Sequence, residues 1–520
     1  MPHITGEERN QLMMISLEST IAPDSFVRAI DAFVDAIDFK SFGFAHVECK
    51  EEGRPSFHPS VLMKLYLYGY HYGIRTSRKL EREASLNLEA MWLTSCQNPK
   101  YKTIADFRKD HAKAFRQVFR SFIRLLKAWD LIEGKTVAVD SFKIRAQNSL
   151  KNNLNQARID RQLGYIDNKI SEYESQLDHC DLEEDRKELL TKIELQKQRK
   201  EGYLEVEQHL KTTGEEQVSL TDPDARSVVF QRNSVQVGYN VQASVDSKNK
   251  LPVEYDTGDV NDTHALAGIA IATKELLGVE TMDVLADKGY HTGGELMECA
   301  KENITTYVSP KAPSTKDTGL YPVTSFVYNP EENTYTCPQG ETLTTTNVWY
   351  SHSNPGNKPP LRFRRYTTIA CKTCANRHKC TSQKINGRAI DRSEYAESME
   401  QNNARVIANP NYYRQRQQLA EHPFGTLKRQ RGFTFTLMRG KEKVLGEVGL
   451  VFIGYNLTRC TSILGFVELC KALKKCFFII KKIFSVPFFS YLEQLLLEVR
   501  GILNTGNNKL SPFYCAVNEI

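Results

Sequence analysis

Arg414, Glu421 and Lys428 recur at seven-residue steps. On a helix of 3.6 residues per turn they project from nearly one face, so a single carboxylate stands between two cations. From Asn411 to Lys443 there are eight Lys or Arg against two acids, Glu421 and Glu442, a local excess as large as the +6 of the whole chain. An acid in such a field ionises readily. It is placed to hold a divalent metal beside a phosphate backbone that the flanking cations would attract. Seen alone, the run also reads as a solvated basic helix with one incidental Glu. Pro423 lacks an N–H for the carbonyl of Leu419 and should kink or weaken this helix.

Two further acids stand where apolar runs stop. TVAVDSFKI, Thr136 to Ile144, reads as a buried strand running up to Asp140, and TMDVLADKGYHTGGEL holds another that stops at Asp287 before the turn residue Gly289. If the two strands lie parallel and adjacent, their carboxylates fall side by side. Each Asp alone also fits a turn or cap. A fourth group is made of thiols: Cys371 and Cys374 form a CxxC, Cys380 follows, and Cys337 lies upstream in TCPQG. Four thiolates suffice for one tetrahedral zinc, with free cysteines as the alternative.

The elements that must position these groups change period along the chain. Residues Arg54 to Lys127 carry fifteen Lys or Arg and five acids, interleaved with aromatics. Pro59 opens a helix ended by Gly73, Thr76 or Ser77 caps the next, and Thr103 with Asp106 resembles a capping box before a long amphipathic run. Arg75, Arg78, Lys79 and Arg82 at the start of a short helix suit a helix-turn-helix DNA reader; a helical bundle with a basic face is the other reading. From Asn152 to Leu210, Ile159, Leu163, Ile166, Ile170, Tyr173 and Leu177 step by three and four, and the pattern resumes after DHCDLEED, which predicts a helical hairpin or coiled coil. Two strands, Gly238 to Asp246 and Leu251 to Asp259, flank the turn SKNK, and a helix covers about Thr263 to Leu277. Between Pro310 and Arg405 apolar periodicity fails. EVGLVFIGYNLTR reads as an apolar helix over the sheet, and the tail from Lys474 is hydrophobic with Lys pairs.

Composition bounds the class. A chain of 520 residues with 40% apolar and 25% charged residues suits a soluble protein of about three domains. No apolar run reaches the roughly 18 residues of a membrane span, and MPHITGEERN lacks a signal-peptide core, so a cytoplasmic protein without a membrane partner is expected. Twelve scattered Cys then argue for metal or buried thiols rather than disulfides.

In order, strand with Asp140, helical insert, two strands, helix, strand with Asp287, another helix and short strand, Cys-rich insert and helix with Glu421 make the plan of an α/β RNase H-like core, a mixed sheet flanked by helices. The sequence here resembles the DDE transposases of bacterial insertion sequences, in the group with a helical N-terminal domain and a Tyr, Arg, Glu, Lys signature. VAVDSF around Asp140, LADKGYHT around Asp287 and Tyr290, and YRQRQQLAEHPFGTLKR around Glu421 and Lys428 carry the resemblance. It departs in one place: the signature's Tyr and Arg positions hold Arg414 and Gln417, with Tyr413 and Arg416 one place off.

The resemblance implies six segments. These are an all-α DNA-binding domain (1–130), a core first part (131–150 and 216–309), a helical-hairpin insertion (151–215), a Cys-rich, zinc-binding insertion (310–405), core C-terminal helices (406–471) and a hydrophobic tail (472–520). It further implies that Asp140, Asp287 and Glu421 hold two Mg²⁺ or Mn²⁺ for phosphoryl transfer on double-stranded DNA, at the element's terminal repeats and at the target. Lys428, Arg414, Arg416, Arg431, Tyr290, Arg75, Arg78 and Lys79 would contact DNA, with the protein acting as a homodimer or larger oligomer. A nuclease or resolvase without strand transfer, or a DNA-binding regulator with an inactive core, would share much of this pattern.

Overall fold

The computed structural model describes residues 10, 14, 16–48, 52, 55–230, 234–258, 260–311, 319–352, 360–383 and 386–483, with backbone alone for 476–483. It divides into two units: Met1–Asp262, Ala272–Val279 and Gln417–Ile520 form the first, Thr263–Ile271 and Glu280–Arg416 the second.

The first unit begins with helices α1 (Leu17–Thr20), α2 (Phe26–Asp35), α3 (Pro59–His71), α4 (Ser77–Leu86), α5 (Leu88–Leu93), α6 (Tyr101–Asp110) and α7 (Ala112–Ala128). Pro59 starts α3, Gly73 turns the chain at φ +73°, and the Thr76 hydroxyl caps α4 by accepting from Lys79 N–H. Thr103 and Asp106 do not form the expected capping box. They lie inside α6, whose first turn follows Lys100 without a side-chain cap, and His111 breaks the long run into α6 and α7.

Strand β1 (Thr136–Arg145) continues past Asp140, so that residue lies mid-strand rather than at the end the sequence suggested. A short strand, β2 (Asn153–Asn155), leads into α8 (Gln156–Asp178) and α9 (Glu183–Thr213), then β3 (Gln217–Ser219), which pairs with β2. Gln156 meets Glu207 and Lys200 meets Asp167, so the two long helices run antiparallel as a hairpin. Next come β4 (Arg226–Val229), β5 (Val235–Asp246) and β6 (Pro252–Thr257). Antiparallel β5 carries β1 along one edge, Asp140 opposite Ala243, and β4 and β6 along the other. Gly238 is required on β5 because a Cβ there would stand 2.3 Å from the Ile144 carbonyl oxygen.

Helix α10 (Leu266–Leu277) is divided between the units. The second unit continues with β7 (Met282–Ala286), α11 (Gly293–Lys301) and β8 (Ile304–Val308), with β7 and β8 parallel. The segment that showed no periodicity is ordered as a five-stranded antiparallel sheet: β9 (Val327–Asn329), β10 (Thr334–Thr336), β11 (Thr342–His352), β12 (Leu361–Thr367) and β13 (Ile390–Ser393). Its core is small, built on Phe326, Tyr335, Leu343, Tyr366, Cys380 and Ile390. Helix α12 (Ala396–Ala408), also unforeseen, docks on β8 through Asn402, whose side-chain amide bonds both N–H and C=O of Val308.

Helix α13 (Pro410–Gly425) leads back into the first unit, followed by α14 (Lys441–Leu464) and α15 (Phe466–Ile483). At Gly446 of α14 a Cβ would come within 2.7 Å of Ala112, so glycine lets α14 lie directly against α7. Leu469, Ala472 and Leu473 of α15 enter the same core. The hydrophobic stretch SVPFFSYLEQLLLEV of the tail lies outside the described residues. Among those described, no single helix is long and apolar enough to cross a membrane.

One buried carboxylate joins these helices. Glu447 of α14 is fully buried, and its Oε1 accepts from Arg75 Nη2 at 3.0 Å and Tyr70 Oη at 3.3 Å, with Arg108 Nη1 at 3.6 Å. Its Oε2 accepts from Thr436 Oγ1 at 2.6 Å and Leu437 N at 2.9 Å. Burial pushes the Glu447 pKa up, but Arg108, Arg75 and these hydrogen bonds outweigh it and hold the carboxyl below its usual 4.5. Removing it leaves two buried guanidinium groups without a counter-charge. Glu447→Ala should therefore cost about 3–5 kcal/mol in urea unfolding. A carboxyl that titrates lower when folded stabilises fully above the unfolded value and loses that contribution as pH falls through the folded one. The mutant should accordingly lack the part of the wild-type acid destabilisation that lies below about pH 4.5.

Candidate active site

Alternation along β1 puts Asp140 on the same face as Phe142 and Ile144. The Phe142 ring lies 4.9 Å from Phe424 and 5.9 Å from Phe452, centroid to centroid. Phe424 is three residues past Glu421, so the end of α13 covers the face that bears Asp140. Glu421 is exposed there, and its Oε1 accepts from Gln417 Nε2 at 2.9 Å. Gln417, which stands where the signature has Arg, is thus the hydrogen-bond partner of the acid. His422 secures the same turn to α14 through Nδ1 and Tyr455 Oη, 2.8 Å apart.

Pro423 does not end the helix. The chain runs through it and widens into a π-helical turn at Thr426–Gln430, which carries Lys428. An extra residue in the turn absorbs the disruption that a proline imposes on the helical ladder. Glu421 and Lys428 are therefore not simply two α-helical turns apart, as the spacing implied. Lys428 is half-buried; burial lowers its pKa, with Asp140 acting the other way and Lys143 adding to the fall. Lys428 thus feels the charge of Asp140, and Phe424, from the helix end that carries Glu421, packs on Phe142 two residues along β1.

Several basic residues expected on DNA serve the fold instead. Arg75 is 6% exposed, stacks between Phe433 and Phe435, and bonds Glu447 and the carbonyls of Gly432 and Phe435. Arg431 is equally buried, bonds Thr458 Oγ1 at 2.7 Å, and has its pKa pushed down to about 10 by burial. Both assignments to phosphate are corrected: neither guanidinium reaches the surface. Arg78 and Lys79 are exposed at the start of α4, with Arg78 over the Tyr101 ring.

In the second unit Asp287 follows β7 directly, and its Oδ1 accepts from Gly289 N–H at 2.7 Å, capping the turn Lys288–Tyr290. Tyr290 is fully buried, which corrects its expected role in positioning DNA. Arg414 is exposed, and Arg416, partly exposed, lies 6.0 Å over Tyr413. Cys337, Cys371, Cys374 and Cys380 line one cavity of about 20 Å³, room for little more than one water-sized body. Burial raises the Cys380 pKa, and the other three thiols raise it further. Gly387 makes room for Cys371, since a Cβ there would meet that side chain at 2.4 Å. Among the described residues, no three His, Cys, Asp or Glu side chains are arranged as they stand to hold a metal ion.

Comparison with known proteins adds two family matches: residues 336–461 match the family described as Transposase DDE domain, and residues 15–110 the one described as Transposase domain (DUF772). The first includes Glu421, Lys428 and all four clustered cysteines. No curated protein sequence matches. Among solved structures, the chain is similar to a piggyBac transposase synaptic complex with hairpin DNA at 8% identity, over 92% of this chain and 85% of that one. The TM-score of that match is 0.27. Over those two segments the family matches indicate a DDE transposase of insertion-sequence type.

Proposed function

We propose that this chain binds the terminal inverted repeats of an insertion sequence and catalyses metal-dependent strand cleavage and strand transfer on an RNase H-like core, with Asp140, Asp287 and Glu421 as the three catalytic carboxylates. The observation that supports it most is that Lys428 feels the charge of Asp140 while Phe424, three residues past Glu421, packs on Phe142 of the same strand. Carboxylate oxygens are the hard donors that Mg²⁺ or Mn²⁺ takes. Two such ions held by the three acids would activate water or a DNA 3′-hydroxyl and stabilise the leaving oxygen. Lys428, beside Asp140, would draw a phosphate to that patch, while Arg414, Arg416, Arg78 and Lys79 would hold the backbone further out. The protein would work in the cytoplasm as a homodimer or larger oligomer on DNA.

Asp140→Asn, Asp287→Asn and Glu421→Gln should each retain binding to the element's ends in a gel shift while cleavage and joining in Mg²⁺ fall by several orders of magnitude, as for groups used chiefly in the transition state. Normal cleavage by any of the three would remove that residue from the site. Wild-type cleavage without joining would point to a nuclease or resolvase, and binding without either would point to a regulator.

Lys428 supplies a second test. With its pKa held below 10.5 by burial, its ammonium should lose its proton sooner than a surface lysine does. DNA affinity should weaken as pH rises, beginning below the usual lysine value of 10.5, and Lys428→Arg, charged throughout, should flatten that decline. An unchanged pH profile in the arginine variant would show that Lys428 does not meet phosphate.

The four cysteines would hold one structural zinc. They face one small cavity, and the other three thiols disfavour ionisation of Cys380, a conflict that a soft divalent cation relieves. Elemental analysis of purified protein should find one zinc per chain, with Zn–S distances of about 2.3 Å by X-ray absorption. Cys374→Ser should lower both the zinc content and the proteolytic resistance of the β9–β13 sheet. Zinc-free protein with an equally resistant sheet would rule the site out.

A further inference from the structure

The inner face of α12 is apolar for one turn and then becomes polar. Tyr395 and Met399 pack against Gly293, where a Cβ would meet them at 2.5 and 3.1 Å, so the start of α11 lies directly on this helix. One turn further along the same face stand Asn402, fully buried, and Asn403. His291, only 7% exposed, meets the second of these amides: its Nε2 lies 2.9 Å from Asn403 Oδ1. No step assigned to the three acids uses His291 or Asn403.

The hydrogen bonds fix which atom of this pair donates. Asn402 accepts from Val308 N–H through Oδ1 at 2.9 Å and donates to Val308 C=O through Nδ2 at 2.7 Å, which sets the orientation of its amide. The same Nδ2 donates to Asn403 at 3.2 Å, so the atom it meets is the oxygen. An amide oxygen only accepts, and His291 therefore carries a proton on Nε2. Strand β8, two amides and one imidazole form a single directed chain.

That chain ends on the turn of an acid. Asp287 opens the turn Lys288–Tyr290 and His291 closes it: Tyr290 N–H donates to Asp287 O at 3.2 Å, and His291 N–H to Lys288 O at 3.3 Å. Four residues of hydrogen-bonded turn have little slack, so a fixed His291 ring fixes the backbone from which Asp287 projects. Helix α12 is held in its turn by a two-point ion pair, Arg392 Nη1 and Nη2 of β13 to the Glu400 carboxylate at 2.5 and 2.8 Å. A buried chain of this kind could serve folding alone. Apolar residues would serve that purpose on this face as Tyr395 and Met399 do one turn earlier, whereas directed bonds hold a group at one place and angle, which a metal ligand requires.

We propose that His291 and Asn403 are positioning residues for Asp287: α12, through Asn403 Oδ1, holds the His291 imidazole and with it the turn that presents the Asp287 carboxylate to a divalent cation. The proposal rests on the assignment of Asp287 to metal and involves neither Asp140 nor Glu421.

The test is Mn²⁺ binding to the full chain, read as loss of the free-ion signal in electron paramagnetic resonance, with thermal unfolding followed on the same samples. Asp287→Asn should weaken Mn²⁺ binding. His291→Phe keeps a ring and loses the N–H, Asn403→Leu keeps the size and loses the acceptor, and each should weaken binding by about ten- to a hundredfold. His291→Gln, whose amide N–H can stand where Nε2–H does, and Asn403→Asp, which still accepts, should restore most of it. If Asp287→Asn binds Mn²⁺ as wild type does, the assignment of Asp287 to metal fails and the positioning role goes with it. If Asp287→Asn loses affinity while His291→Phe and Asn403→Leu keep it, the positioning role alone is overturned. It is overturned as well if their losses only follow a lowered melting temperature and neither conservative variant restores binding, since the pair would then serve folding alone.

Discussion

A buried carboxylate must be matched charge for charge, and Glu447 is where the first unit meets that demand. Its partners come from α3, from the turn after it, from α6 and from the segment that follows the Lys428 turn. That segment is in turn fixed to the end of β1: Arg145 N–H donates to Thr434 O at 3.1 Å, and Thr436 N–H to Arg145 O at 2.8 Å. The strand bearing Asp140 and the turn bearing Lys428 are thereby tied through one ion network. A charge in low dielectric tolerates little displacement of its partners, so the N-terminal helices act as part of the frame around Asp140 and Lys428.

The π turn gains its meaning from that frame. Upstream, His422 is fixed to Tyr455; downstream, Phe433 is buried against Phe142 and Arg75. With both ends held, the irregularity that Pro423 introduces cannot diffuse along the helix and is absorbed in the five residues Thr426–Gln430. Lys428 stands in those residues, beside Asp140, at a burial that a straight continuation of α13 would not dictate.

The sequence made the acids visible because each interrupts a strong local pattern: Asp140 and Asp287 in apolar strands, Glu421 in a basic run. The α8–α9 hairpin was legible for the same reason, since its apolar residues keep helical spacing over many turns. The β9–β13 sheet was not. Its strands are built from Thr, Tyr and Arg, with Tyr335 and Tyr366 supplying core through rings whose hydroxyls stay bonded to Arg392 and Asn333. Apolar counting misses a core of that kind. Arg75 and Arg431 escaped for a different reason: residue type announces a cation but not its partner, and the Glu447 that claims Arg75 lies 372 positions away.

That distinction governs how basic charge should be read along this chain. The residues from Arg54 to Lys127 hold many cations, but acids are interleaved there, and Arg75, Arg108, Arg116 and Arg120 are all paired with Glu447 or Glu254. At those four positions little net charge is left for a polyanion to feel. The stretch from Thr342 to Ile390 has fewer cations but no acids at all. Uncompensated charge, not abundance of Lys and Arg, attracts phosphate. By that measure Arg362 and Arg364, whose guanidinium groups lack the ion pair that Asp391 gives Arg365, attract an anion more strongly than Arg75, Arg108, Arg116 and Arg120 do.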